Sequence, residues 1–363
     1  MIVFSATEAL SPAIERTRRL LFAPFRWGTF LKLCAVAVFT EGFGGNFNFS
    51  GPSHSSSHQP AHSPSLTTTS FSSSALSSGL SPFSLTPGWI ALIVVGVLLA
   101  IAISILLFYL ITRLRFSLFY CLAYQVKELR PGWTLYREQA DRFFLFNLVV
   151  GLVFLALAVL SIAPFAAGLF QVFRSTHAGE RFDFALFFSL FIPLFALILV
   201  IVLLAIAVDI VLRDFMLPHF ALEDASAGEA WAEVRSRVAA EKGSFFLYAV
   251  LRILLPIAAA IALFMILAIP MLIVFGILAA IFAGIHMMLT GNLAVAGIVL
   301  EALIGLAAVA VGLFLAICFG GPLSLWVRNF ALVFYGGRYR LLGDVLFPPP
   351  PPALFDAGDA PAV

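Results

Sequence analysis

Between Ser244 and Thr290 the only Lys, Arg, Asp or Glu is Arg252. A second run, WIALIVVGVLLAIAISILLFYLIT (residues 89–112), carries no charge at all. About 20 apolar helical residues cross about 30 Å of hydrocarbon, and both runs exceed that length. In a bilayer every backbone N–H and C=O must be bonded within the protein, which leaves the α-helix and the closed β-barrel. A barrel needs short strands that alternate apolar and polar residues, and these runs do not alternate. Composition agrees: 62% of residues are hydrophobic and 11% charged, with a mean hydropathy of +1.06. Soluble domains average about 45–50% and about 25%. The expected fold is all-α, a polytopic transmembrane helical bundle.

Apolar runs at 28–43, 89–112, 143–173, 184–211 and 293–319, with the 244–290 block, predict six spans. At about 1.5 Å per residue, a straight helix over 244–290 would be more than twice the bilayer thickness. That block is therefore expected to be broken or re-entrant, or to turn back at Pro270 and make a seventh span. The last run is expected to stop at Gly320-Gly321-Pro322. The domains follow. Residues 1–27 form a cytoplasmic amphipathic lead-in, 28–43 and 89–335 one transmembrane helical domain, 44–88 a flexible extracytoplasmic loop, and 336–363 a Pro-rich cytoplasmic tail.

The 44–88 stretch is dominated by Ser, Thr, Pro and Gly and has no Lys or Arg. It buries too little apolar surface to offset the entropy of ordering. His54, His58 and His62 recur every four residues and are metal-ligand candidates by composition alone. Pro and Ser oppose the helix that would align them, and no carboxylate or Cys joins them. Cys34, Cys121 and Cys318 are far apart, without metal spacing, and read as small buried hydrophobes. No cofactor is expected.

Lys and Arg concentrate in cytoplasmic loops. They cluster in the N-terminus, in 113–142 and in 213–242. This places the N-terminus in the cytoplasm of a cell (inner) membrane and the Ser-rich loop outside. Arg328, Arg338 and Arg340 bring the C-terminal tail inside too, which favours six crossings over seven.

The densest charge lies in RDFMLPHFALEDASAGEAWAEVRSRVAAEKG (213–243). Ser226 and Glu229 have capping-box spacing and Gly243 is a stop signal. Ala227, Trp231, Val234 and Val238 share one face. This predicts an amphipathic helix of about four turns, too short and charged to span. It lies flat on the interface, packs beneath the bundle, or is a solvated connector with one packed face. Ser5 and Glu8 repeat the capping-box spacing.

Ionisable residues within spans are costly and are functional candidates. Glu301, Arg252 and Asp209 qualify. Asp209 precedes Arg213 by four residues and is expected to pair with it. Either Glu301 and Arg252 pair inside the bundle, or Arg252 snorkels to the cytoplasmic face and Glu301 is protonated or faces the outer interface. Arg115-Phe116, Arg213-Asp214-Phe215 and Arg328-Asn329-Phe330 each close an apolar run. Arg115, Arg213, Arg328 and Trp231 therefore read as interfacial anchors. There is no nucleophile elbow, HExxH, P-loop or dinucleotide fingerprint, so no catalytic residue is assigned and a non-enzyme is expected. Two function classes remain. One is an envelope scaffold or accessory subunit. The other is a transporter or lipid-handling protein with a polar site around Glu301 and Arg252. The expected partners are membrane lipid and a protein in the membrane, not nucleic acid.

Pro218, Glu223, Ala230 and Trp231, together with IERTRRLLFAPFRWGTFLKL (14–33) and WVRNFALVFYGGRYRLLGD (326–344), resemble a known pattern. It belongs to uncharacterised bacterial and archaeal multi-pass membrane proteins similar to the membrane domain of glycerophosphoryl diester phosphodiesterase. In that enzyme catalysis belongs to a separate soluble barrel. No stretch here is long and polar enough to form one, so the resemblance implies a membrane protein and not the activity.

Overall fold

The computed structural model describes residues 4–45, 87–177, 184–288 and 294–348. His54, His58 and His62 lie outside the described residues. Each described element is helical: α1 Leu10–Phe22, α2 Trp27–Gly45, α3 Pro87–Tyr124, α4 Arg130–Leu135, α5 Arg137–His177 and α6 Phe184–Ile210. After the π-helical stretch Val211–Met216 come α7 Leu217–Leu222, α8 Ala227–Ala240, α9 Lys242–Met288 and α10 Ala294–Leu315. A second π-helical stretch, Ala316–Gly320, leads to α11 Gly321–Gly336 and α12 Arg340–Leu346. The chain divides into two units, Asn46–Leu110 and the remainder. Of the smaller unit the described part is the first length of α3, apolar and exposed.

Among the described residues, five helical stretches rather than six are long and apolar enough to cross a membrane. They are 91–124, 137–174, 184–222, 242–285 and 302–336. The stretch expected as the first span, α2, differs. It is 19 residues long, contains Lys32 and Glu41, and buries Leu33, Cys34 and Ala37 against protein. The long block also departs from expectation. Lys242–Met288 is one continuous helix of 47 residues with Pro256 and Pro270 inside it, neither re-entrant nor a hairpin. At about 1.5 Å per residue it is about 70 Å long. Its extra length is taken up where its first turns bury Phe245 and Tyr248 in a protein core. Proline is tolerated in apolar helices because local adjustment re-satisfies the freed carbonyl.

Two punctuation signals fail for related reasons. Gly243 does not stop α8, which ends at Ala240 with Glu241 as its C-cap; Gly243 lies inside α9. Gly320-Gly321-Pro322 does not stop the last run either, since the chain stays helical into α11. Gly321 serves close approach instead: a Cβ there would lie 2.3 Å from Cys34 Cβ.

The spans and the core differ in packing. Along α5, α6, α9 and α10, side chains such as Leu160, Phe195, Ile269 and Leu306 are more than half exposed. Water-soluble proteins rarely expose contiguous apolar patches beyond a few hundred Å², and these faces suit a bilayer rather than water. By contrast α1, α2, the last turns of α3, the first turns of α5 and α9, residues 210–222, α8, α11 and α12 share one dense core, here called the hub. Its centre is aromatic. Tyr248 stacks on Phe334 with centroids 4.4 Å apart, and Phe215 meets Phe245 edge-on at 5.2 Å. Such pairs add about 0.5–1.5 kcal/mol each beyond burial.

The described parts of the lead-in and tail, 4–27 and 336–348, contribute to this hub. α1 buries Ala13, Thr17, Leu20 and Leu21, and α12 buries Leu342 and Leu346. Arg16, in the middle of α1, ties the ends of α3 and α12 together. It donates to the carbonyls of Leu346 at 2.8 Å, Leu122 at 2.9 Å and Ala123 at 3.1 Å. Two of these carbonyls lie in the last turn of α3, where no intrahelical donor is available. Burial lowers the Arg16 guanidinium to about 10.

α8 packs one face on the hub. Ala230 and Val234 are buried, and Arg237 sits 4.9 Å over the Tyr339 ring. Its N-terminus carries the reciprocal Ser226–Glu229 capping box.

Candidate functional site

The arginines read as headgroup anchors are not at the surface. Arg115, Arg213 and Arg328 are 4%, 4% and 2% exposed. Their Arg–Phe echo marks three helical stretches, in α3, the π-helical stretch and α11, that converge in the hub, with Phe116, Phe215 and Phe330 buried beside them. They are buried because acceptors from other helices lie within reach, the Thr40 carbonyl for Arg115 and the Glu41 and Asp214 carboxylates for Arg213 and Arg328.

Asp214 is the centre. Its buried carboxylate accepts from Arg328 Nη1 at 2.7 Å, Arg252 Nε at 2.9 Å and Tyr248 Oη at 2.8 Å. Glu41, in the last turns of α2, accepts from Arg213 Nη2 at 2.7 Å and Arg252 Nη2 at 3.3 Å. Arg328 Nε lies 3.8 Å from its other oxygen. The expected Asp209–Arg213 pair is present at 2.6 Å. Arg115 Nε and Nη2 both point to the Thr40 carbonyl at 3.4 Å. In an α-helix consecutive side chains point about 100° apart. The π-helical stretch changes that spacing, and Arg213 and Asp214 are both buried. Such bulges are frequent at functional sites.

Arg252 is thus held by Asp214 and Glu41. Glu301 belongs to α10, and its side chain lies outside the described residues. Four guanidiniums face the carboxylates of Glu41, Asp209 and Asp214, which leaves one formal positive charge in excess. Chemically this is a lock between helices. Removing one partner of a buried pair strands the other.

A second feature lies beside it. Phe146 and Val150 of α5, Ala207 and Val208 of α6, Val211, Leu212 and Met216 of the π-helical stretch, and Ala227, Gly228 and Trp231 of α8 line a cavity of 520 Å³. All of its side chains are apolar except for the indole N–H. Met216 is buried at its floor, while Ala207, Gly228 and Trp231 are exposed at its mouth. Trp231, expected as an interfacial anchor, is a cavity wall half open to its surroundings.

Sequence reasoning missed Glu41, Asp214, Tyr248 and the cavity. Glu41 had a visible signal, as the lone carboxylate at the end of the first apolar run. Asp214 was hidden by its neighbour Arg213, with which it read as one anchor. His219 was missed too: it is fully buried, 3.0 Å from Glu223 and 2.7 Å from the Tyr335 hydroxyl. Among the described residues no group of three His, Cys, Asp or Glu is placed to hold a metal ion.

The capping box gives a pH dependence. The backbone N–H of Ser226, and then its hydroxyl, holds the Glu229 carboxyl below its ordinary value of 4.5. A lowered folded value means the contribution is complete above 4.5 and lost as pH falls through the folded value. Protection factors of the amides in the first turn of α8, rates corrected for intrinsic exchange, are expected to fall on acidification below that range and to be unchanged between neutrality and pH 6. The same holds for Glu8 on Ser5.

Residues 14–33, 213–243 and 326–344, which carry the resemblance noted above, all contribute to the hub. No curated protein and no solved structure is matched by the chain. A family profile does match, from residue 4 to residue 345, so the chain belongs to the family of unknown function DUF7544.

Proposed function

We propose that the protein is a lipid-handling component of a cell (inner) membrane, seated with its N-terminus and hub toward the cytoplasm and acting by binding rather than by bond chemistry. The observation that carries this reading is the 520 Å³ apolar cavity between α5, the end of α6 and α8. Ligand sites are concave, mostly apolar and about 300–1,000 Å³. The mouth lies where the lipid-exposed lengths of α5 and α6 give way to the hub. An acyl chain reaches it sideways without crossing water. Trp231 stands at that mouth, and tryptophan favours the level of lipid headgroups. The cytoplasmic side follows from the Lys and Arg distribution.

This reading no longer leans on Glu301 and Arg252, since Arg252 is committed to Asp214 and Glu41. The likeness to the membrane domain of glycerophosphoryl diester phosphodiesterase, and a bacterial or archaeal source, belong to the same proposal and bring no catalytic part. The buried network favours a second reading, as a scaffold, because charges paired with one another hold helices together rather than a solute.

Crosslinking separates the two. The full chain is reconstituted in vesicles containing a phospholipid with a diazirine near the end of its acyl chain. Adducts are expected on Phe146, Val150, Leu212 and Trp231, and Gly228→Leu is expected to suppress them. A Cβ at Gly228 meets nothing within 4 Å, so a side chain can start there without strain and narrow the mouth of the cavity. Adducts confined to outward faces such as Leu160 and Ile269, with none in the cavity, would leave the scaffold reading.

A further inference from the structure

Resting on the cavity as the lipid site, we infer that the bound lipid is anionic and that its phosphate is held by Arg142 at the watery edge of the cavity, in exchange for Asp224. Three observations lead there. Arg142 lies four residues before Phe146 on α5, so the two share a helix face one turn apart. Asp224 lies three residues before Ala227, at the turn into α8. The two side chains meet, Arg142 Nη2 to Asp224 Oδ1 at 2.6 Å. This pair therefore bridges the two walls of the cavity on its hub side. A chain in the cavity brings its headgroup to that pair.

The pair is built to be exchanged. Its side chains are 49% and 56% exposed. Exposed ion pairs contribute little because water serves both partners nearly as well. Asp224 can return to water at small cost when a phosphate takes its place, and guanidinium binds phosphate in a planar, two-point fashion. The first turn of α8 adds to the preference. Ala227 and Gly228 line the cavity and are the first two residues of that helix. Their N–H groups have no acceptor one turn back, and the helix end is positive. The neighbouring acids are occupied elsewhere: Glu223 bonds His219, and Glu229 closes the capping box with Ser226. Arg235, one turn beyond Trp231 on α8, is a further exposed cation.

The test uses the full chain in vesicles with two probes that carry the same photoactivatable acyl chain, phosphatidic acid and phosphatidylcholine. Phosphatidic acid is expected to label the cavity about tenfold more strongly at equal mole fraction, the size of one charge-assisted contact. Arg142→Gln is expected to abolish that preference, Arg142→Lys to restore part of it, and Asp224→Asn to raise labelling by freeing the guanidinium. Thermal unfolding of each variant in detergent is expected to match the parent, since the pair is exposed. Equal labelling by both lipids, or a preference indifferent to Arg142→Gln, overturns the headgroup assignment while the cavity remains a lipid site. Absence of cavity labelling by either lipid overturns the lipid reading itself. A fatty acid bearing the same photogroup that outcompetes phosphatidic acid at the cavity also overturns the phosphate assignment, in favour of a free carboxylate.

Discussion

Asp214→Asn is expected to lower the stability of the protein by about 3–5 kcal/mol, the cost of breaking a buried ion pair by removing one partner. Asparagine keeps the shape and can still accept from Tyr248. It cannot neutralise Arg252 and Arg328, whose guanidiniums stand 2.9 and 2.7 Å from the Asp214 oxygens. Both are then left with Glu41, which already accepts from Arg213. Three buried cations around one carboxylate repel one another in a region that water does not reach. Equilibrium unfolding in mixed micelles measures the loss. Arg328→Met combined with Asp214→Asn is expected to cost less than the two changes summed, since each removes the charge the other strands. Glu15→Gln is the control: Glu15 pairs with Arg18 and Arg19 at the exposed surface of α1, where loss of a pair costs at most about 1 kcal/mol. Additive losses, or a mild effect of Asp214→Asn, would mean that the network contributes little to holding these helices together.

Gly321→Ala is expected to be nearly as damaging, by about 1–3 kcal/mol from overpacking. The added Cβ would stand 2.3 Å from Cys34 Cβ and 2.7 Å from Cys34 Cα. Neither atom is the end of a flexible side chain, so α11 and α2 must separate. That movement pulls Arg328 away from Glu41, because the two helices carry those residues. Cys34→Ala should not rescue the variant, since alanine keeps the Cβ, whereas Cys34→Gly should recover part of the loss. Gly320→Ala is the matched control: its Cβ would come no closer than 3.6 Å, to Val38 Cγ2, and alanine favours helix over glycine. Unfolding midpoints of the four variants decide the matter.

The features legible in the sequence were those set by short stretches. Ser226 and Glu229 are three residues apart, so their capping box needs nothing beyond local backbone. Asp209 and Arg213 are one helical turn apart and meet on a single helix. The candidate site was not legible in this way. An arginine closing an apolar run has the same local surroundings whether it reaches a headgroup or an internal carboxylate. Arg115, Arg213 and Arg328 belong to the second case only because Thr40, Glu41 and Asp214 arrive from elsewhere. Gly321 read as a stop because glycine usually marks a helix end, and its actual use depends on Cys34, nearly the whole chain away.

Hydrocarbon as the solvent of the long helices follows from composition alone, because the free energy of placing apolar side chains in lipid is nearly independent of their neighbours. The buried charges and the cavity are different in kind. A pair such as Arg252–Asp214 depends on distances between helices. A hollow bounded by Phe146, Leu212 and Trp231 exists only where three helices fail to fill the space between them. Those quantities belong to the packed arrangement, and only the tertiary structure decided them.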